Sequence, residues 1–135
     1  MQLIQLLYCS KSLNDIKRED TDAILSQSRK NNAAKNITGV LCNNELYFIQ
    51  LIEGNYRHIN DLYTRITADN RHTKTTILSY HSVNNRLFAN WSMGYIDDNH
   101  YVNDLLRKYI DTSGTIDPEL LSNAFINYMT KISTV

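Results

Sequence analysis

Apolar and polar positions alternate in blocks along this chain. Residues 2–9 (Gln-Leu-Ile-Gln-Leu-Leu-Tyr-Cys) are mostly apolar and predict a strand. Alternation sets Ile4, Leu6 and Tyr8 on one face, and Leu3, Gln5, Leu7 and Cys9 on the other. So few polar positions predict a central strand. After a polar stretch, Lys11 to Glu19, Asp20 or Thr21 is expected to cap a helix reaching about Lys30. Its apolar face is thin, carried by Ile24 and Leu25, with Ser28, Asn31 and Asn32 on or beside it. Ile37 to Cys42 reads as a second strand, Asn43-Asn44 as a two-residue turn, and Leu46 to Glu53 as the returning strand. The even face of that third strand carries Leu46, Phe48, Gln50 and Ile52. Gly54 is expected to end it. A helix from about Arg57 to Ala68 shows the clearest stripe, Ile59, Leu62, Tyr63 and Ile66. Thr75 to Val83 and Leu87 to Ile96 read as the last two strands.

Beyond them the pattern turns helical. Val102, Leu105, Leu106, Tyr109 and Ile110 mark one short amphipathic helix, and Gly114 breaks it. Asp117 then caps a second helix with Pro118 at its first position; Leu120, Leu121, Ala124, Phe125, Tyr128 and Ile132 form its stripe. The fold class is therefore α+β: a ferredoxin-like βαββαββ sheet with two helices on one face, plus a C-terminal helical pair. The right-handed crossover rule puts the first and third strands side by side, and with them Tyr8 and Gln50. The division expected is residues 1–98 as one domain and 99–135 as a two-helix extension.

Composition narrows the classes. Of 135 residues, 42% are hydrophobic and 21% charged, which suits a globular domain with a real core. Fourteen basic residues balance fourteen acidic ones, so no broad field favours nucleic acid or an anionic membrane. With no long apolar run and no basic leader, the expectation is a cytoplasmic protein. Cys9 and Cys42 have neither metal nor redox spacing and read as buried thiols. Nine tyrosines against three phenylalanines are compatible with a polar or redox-active core position, since a buried tyrosine hydroxyl needs a partner.

No hydrolytic or phosphoryl-transfer apparatus is visible. His58, His72, His81 and His100 show no metal-ligand spacing, and there is neither a nucleophile elbow nor a glycine-rich phosphate loop. The expectation is no metal and no enzyme. What remains is a polar cluster in apolar surroundings. Gln50 sits inside Leu46-Tyr47-Phe48-Ile49-Gln50-Leu51-Ile52, and a buried carboxamide needs partners at both ends. Tyr8 is positioned to be one, and from spacing alone a purely structural Tyr–Gln hydrogen bond is the simpler account of the pair. Asn31-Asn32 reads as a helix stop, and Asp69-Asn70-Arg71-His72 as a solvated helix end. Together these groups also suit a cleft for a planar heterocycle.

Taken in order, Tyr8, Ile24-Leu25, Arg29, Asn31-Asn32, Ile37-Thr38-Gly39, Phe48-x-Gln50, Glu53-Gly54, Ile66, Asp69-x-Arg71-His72, Arg86-x-Phe88 and Trp91-Ser92-Met93-Gly94 resemble a BLUF domain, a sensor of blue light using FAD. The resemblance covers roughly residues 1–98. It implies non-covalent FAD between the two helices, with Ile24 and Ile66 sandwiching the ring. It implies Asn31 and Asn32 on the pyrimidine edge, Arg71 and His72 near that rim, Arg65 and Asp69 toward the polar tail, Arg29 in the binding set, and Gln50 on both ring and Tyr8. It further implies a cycle in which Tyr8 gives an electron and a proton and Gln50 ends rotated or tautomerised, with absorption moved to the red and no net redox change. Trp91 and Met93 are the implied relay, and the order in which they face inward is open. Asn44, in place of a common turn glycine, and Ser28, in place of a frequent alanine, depart from the pattern, outside the expected chromophore contacts. Without an output enzyme, signalling is expected through altered contact with a downstream protein, and a homo-oligomer is expected. The competing readings are a chromophore-free ferredoxin-like regulatory or ligand-binding module and a flavin enzyme.

Overall fold

The computed structural model describes residues 2–97 and 99–133. Its elements are β1 (Leu3–Ser12), α1 (Arg18–Ala34), β2 (Thr38–Asn43), β3 (Tyr47–Asn55), α2 (Tyr56–Thr67), β4 (His72–Ser82), β5 (Gly94–Ile96), α3 (Asn99–Tyr109) and α4 (Pro118–Ser133). The sheet order is β4-β1-β3-β2-β5. β3 lies antiparallel between β1 and β2, beside β1 as expected, and Tyr8 is registered directly opposite Gln50. Two cores result from the strict alternation of buried strands. Ile4, Leu6, Leu41, Phe48 and Ile52 pack toward Leu25 of α1 and Ile59 of α2. Leu7, Cys9, Val40, Cys42, Ile49 and Leu51 face the other way and are covered by Leu105, Leu121, Phe125 and Met129 of α3 and α4. The tail helices thus close the second sheet face.

Several local expectations are corrected. α1 starts earlier, because Lys17 is its N-cap residue and Asp20 Oδ2 accepts the Lys17 N–H at 3.0 Å from inside the first turn. It also continues through Asn31-Asn32, and the stop falls at Lys35 and Asn36, where Asn36 takes φ 54°. Neither Asn43 nor Asn44 adopts positive φ. Instead, Asn44 Oδ1 accepts the N–H groups of Leu46 (2.9 Å) and Tyr47 (2.7 Å), closing the turn by its side chain. β3 runs past Gly54 to Asn55, whose Oδ1 caps α2 by accepting Arg57 N–H at 3.0 Å. The fifth strand is only three residues long and parallel to β2. Residues 83–93 form a strap instead of a strand, held by side chains and by two isolated backbone bonds, Val83 N–H to Leu3 O and Gly39 N–H to Trp91 O, where a ladder was expected. At the tail, Gly114 takes φ 85° and Asp117 Oδ1 accepts Leu120 N–H at 3.2 Å, as the break and cap require.

Candidate functional site

A cleft opens between α1, α2 and the sheet. Tyr8, Ile24, Asn31, Asn32, Gln50, Arg65, Ile66, Asp69, Arg71 and His72 line it, ten of the residues singled out from the sequence. Its volume, about 170 Å³, is below the range that encloses a whole drug-sized ligand, so it suits a flat head group with the remainder outside. Tyr8 and Gln50 form its floor because β1 and β3 present them on the same face in register. Both are buried, and the Tyr8 hydroxyl donates to Gln50 Oε1. Gln50 Nε2 donates to Met93 Sδ at 3.3 Å. One N–H of that amide and one lone pair of Oε1 remain for a ligand. Burial raises the Tyr8 pKa above the ordinary phenol range, with the neighbouring Tyr63 and Asp69 adding to it. Tyr63 meets Tyr8 edge-on, centroids 5.6 Å apart.

The rim is polar. Asn32 is buried and donates from Nδ2 to Ser92 O at 3.1 Å. Asn31 and Arg65 have no side-chain partner among the described residues, leaving a carboxamide and a guanidinium at the mouth. The fork of Arg71 is taken by Asp69, Nε at 3.0 Å and Nη2 at 2.5 Å, which holds the Asp69 carboxyl below the usual range. His72 is not simply a solvated helix end. Its Nε2 donates to the Ile66 carbonyl at 2.5 Å, and its Nδ1 shares a hydrogen bond with Ser10 Oγ at 2.7 Å, which ties α2 to β1.

Three expected residues lie outside the lining. Arg29 donates from Nε to Met93 O at 2.9 Å and borders a shallow depression with Trp91 and Tyr95. Met93 is buried in the cleft-side core, whereas Trp91 is 38% exposed and stacked on Phe88 at 4.9 Å. Conversely, Gln27, Ser28, Leu41, Phe48 and Leu62 line the cleft without having been singled out as contacts. Ser28 corrects an expectation directly. Its polar neighbourhood on a thin helix face was the available signal. Among the described residues no group of acids, histidines and cysteines could hold a metal, and no helix is long and apolar enough to cross a membrane. Two aliphatic side chains on facing helices, free amide and guanidinium donors at the mouth and a half-engaged carboxamide on the floor match what a flavin offers: a flat ring edged with carbonyls and nitrogens, and an anionic tail.

Comparison with known proteins points to the same ligand class. The family model described as sensors of blue-light using FAD matches residues 3–94. Photoactivated adenylate cyclase subunit beta of Euglena gracilis is 32% identical over 92 residues, 67% of this chain and 11% of that protein. The chain thus spans about a tenth of that relative's length. A bacterial light-regulated adenylyl cyclase superposes with TM-score 0.72 at 32% identity, covering 78% of this chain and 33% of the other. BlrB, a BLUF protein in its dark state, superposes with TM-score 0.80 at 25% identity, covering 98% of this chain and 96% of the other.

Proposed function

The chain belongs to the BLUF family of blue-light sensors using FAD, and from that premise we propose that Tyr8 and Gln50 are its photochemical switch. The protein is a flavin-binding blue-light photoreceptor. The observation that carries the switch is the buried hydrogen bond from the Tyr8 hydroxyl to Gln50 Oε1, at the floor of the cleft. Bound FAD supplies the blue-light absorption and an excited state that accepts an electron. Ile24 and Ile66 would flank the ring, Asn31 and Asn32 would take its pyrimidine edge, and Arg65 would hold the anionic tail. Asp69, Arg71 and His72 shape the rim, with Arg71 neutralised by its partner. Arg29 acts on the strap instead of the ring. Tyr8 yields an electron, and its hydroxyl proton passes along the existing bond to Gln50 Oε1. When the electron returns, a proton returns to the Tyr8 oxygen with it, so that both groups end neutral and Gln50 is left turned or tautomerised. The hydrogen bond it offers the ring is then different, and absorption moves to the red.

Residues 1–98 form the sensor domain in this reading and 99–135 the helical extension; the boundary at residue 98 lies outside the described residues. Output is altered contact with a downstream signalling protein through the tail helices, in a homo-oligomer. The match to the cyclases covers 92 residues, about a tenth of that relative's length, and supports a light-sensing module. The test is an absorption spectrum of purified protein before and after blue light. A reversible red shift of the flavin band is expected, and Tyr8→Phe should bind flavin yet lose the shift. A normal shift in Tyr8→Phe overturns the switch. Colourless protein that stays colourless with added FAD overturns the site.

A further inference from the structure

Glu53 and the Arg86–Phe88 run lie outside the cleft lining. On β3, Glu53 shares the parity of Ile49 and Leu51, so it faces the side covered by α3 and α4, opposite to Gln50. It is fully buried. Its Oε2 accepts Leu87 N–H at 2.6 Å and its Oε1 accepts Phe88 N–H at 3.0 Å. Arg86 Nη1 donates to the Glu53 carbonyl at 2.9 Å and to Thr38 Oγ1 at 2.8 Å. A buried carboxylate is a poor stabiliser beside an apolar residue of similar size. Two adjacent N–H groups on one carboxylate do, however, fix a backbone position.

From that clamp the strap crosses from one core to the other. Phe88 belongs to the tail-helix core and Met93 to the cleft-side core. Between them, Trp91 O accepts Gly39 N–H at 2.9 Å, and Asn32 and Arg29 hold Ser92 O and Met93 O. Met93 Sδ then meets Gln50 Nε2 at 3.3 Å. We infer that Glu53 is a positioning residue for the light switch: its carboxylate fixes the strap's origin, the strap fixes Met93, and Met93 holds the amide end of Gln50. The inference rests on Gln50 being the switch. An amide gripped by Tyr8 at one end and Met93 at the other turns only by releasing both. Loosening the Met93 grip lowers the barrier to turning.

The chain has three methionines, so methyl-labelled methionine in the full flavin-loaded protein reads Met93 and Met129 separately. In Glu53→Gln one carboxylate oxygen becomes an NH₂ facing an N–H donor. The Met93 methyl resonance should move while that of Met129 stays, and dark recovery should quicken at least roughly threefold, within the range of coupling through positioning contacts. Leu121→Ala is the structural control: it loosens the tail-helix core, should move Met129, and should leave Met93 and recovery as they were. Arg86→Met loosens the same clamp if Glu53→Gln does not fold, with the same outcome expected. A folded clamp variant with unchanged Met93 resonance and unchanged recovery overturns the inference. So does a pattern in both methionines and in recovery that Leu121→Ala reproduces. A wild-type protein without any red shift would instead defeat the switch reading, while the Met93 displacement could still be read.

Discussion

Tyr8 is a phenol kept neutral by its surroundings. Burial raises its pKa above the value of about 10 it has when unfolded. A group whose folded pKa is raised contributes stability that is complete below the unfolded pKa and is lost as pH rises through the folded one. The red-shift amplitude should therefore hold constant from pH 7 to about 10. A decline centred near 10 in a pH series would mean that Tyr8 titrates as an exposed phenol. At the mouth, Asn31 has its whole carboxamide free for a ligand. Losing one neutral hydrogen bond of ~1 kcal/mol should weaken flavin binding roughly fivefold in Asn31→Ala, measured by fluorescence titration. Tyr8 and Gln50 were legible because strand parity is strict. Gln27 was not, and Ser28 was read beside the buried face of α1 yet outside the ligand contacts, since placing either in the cleft needs the rotation of α1 against the sheet.

At the scale of elements, β5 departs furthest from expectation. Leu87 to Ile96 has strand-like composition, yet only Gly94–Ile96 pairs with a neighbour. The rest is held by the Glu53 carboxylate, by Asn32 and Arg29, and by the stack of Trp91 on Phe88. Gly94 is required by that stack. A Cβ there would lie 2.0 Å from Trp91 Cε3. Gly94→Ala should push the indole off Phe88 at a cost of about 1–3 kcal/mol. Trp91 is the only tryptophan, so its emission should shift to the red, and unchanged emission would show that the indole had room to spare. α1 differed for a more local reason. Lys17 holds the N-cap position without a side-chain cap bond while Asp20 serves from inside the first turn, and sequence rules seek the capping side chain one position before the helix.

For the whole molecule, the tail helices are part of the core. Leu121, Phe125 and Met129 are fully buried against the sheet face carrying Leu7, Val40, Ile49 and Leu51. Ending the chain after residue 98 would bare that apolar face, and contiguous patches of that kind drive association. The shortened protein should aggregate in light-scattering measurements. A monodisperse shortened protein with the full photocycle would show that the first 98 residues fold on their own. Within the intact chain, Phe125→Ala should cost about 3–5 kcal/mol in denaturant unfolding.

The sequence by itself determined the element order, the central place of β1 and β3, and the facing of Tyr8 and Gln50. Periodicity and crossover handedness are local or nearly universal rules, and they suffice for that. The family motifs added the ligand class. Only the tertiary structure decided that Met93 faces inward and Trp91 outward, that Arg29 serves the strap and that Ser28 lines the cleft. Only there does Glu53, on the opposite face, join the strap that ends at Gln50. Those outcomes depend on long-range hydrogen bonds between residues tens of positions apart, and no periodicity along the chain encodes them.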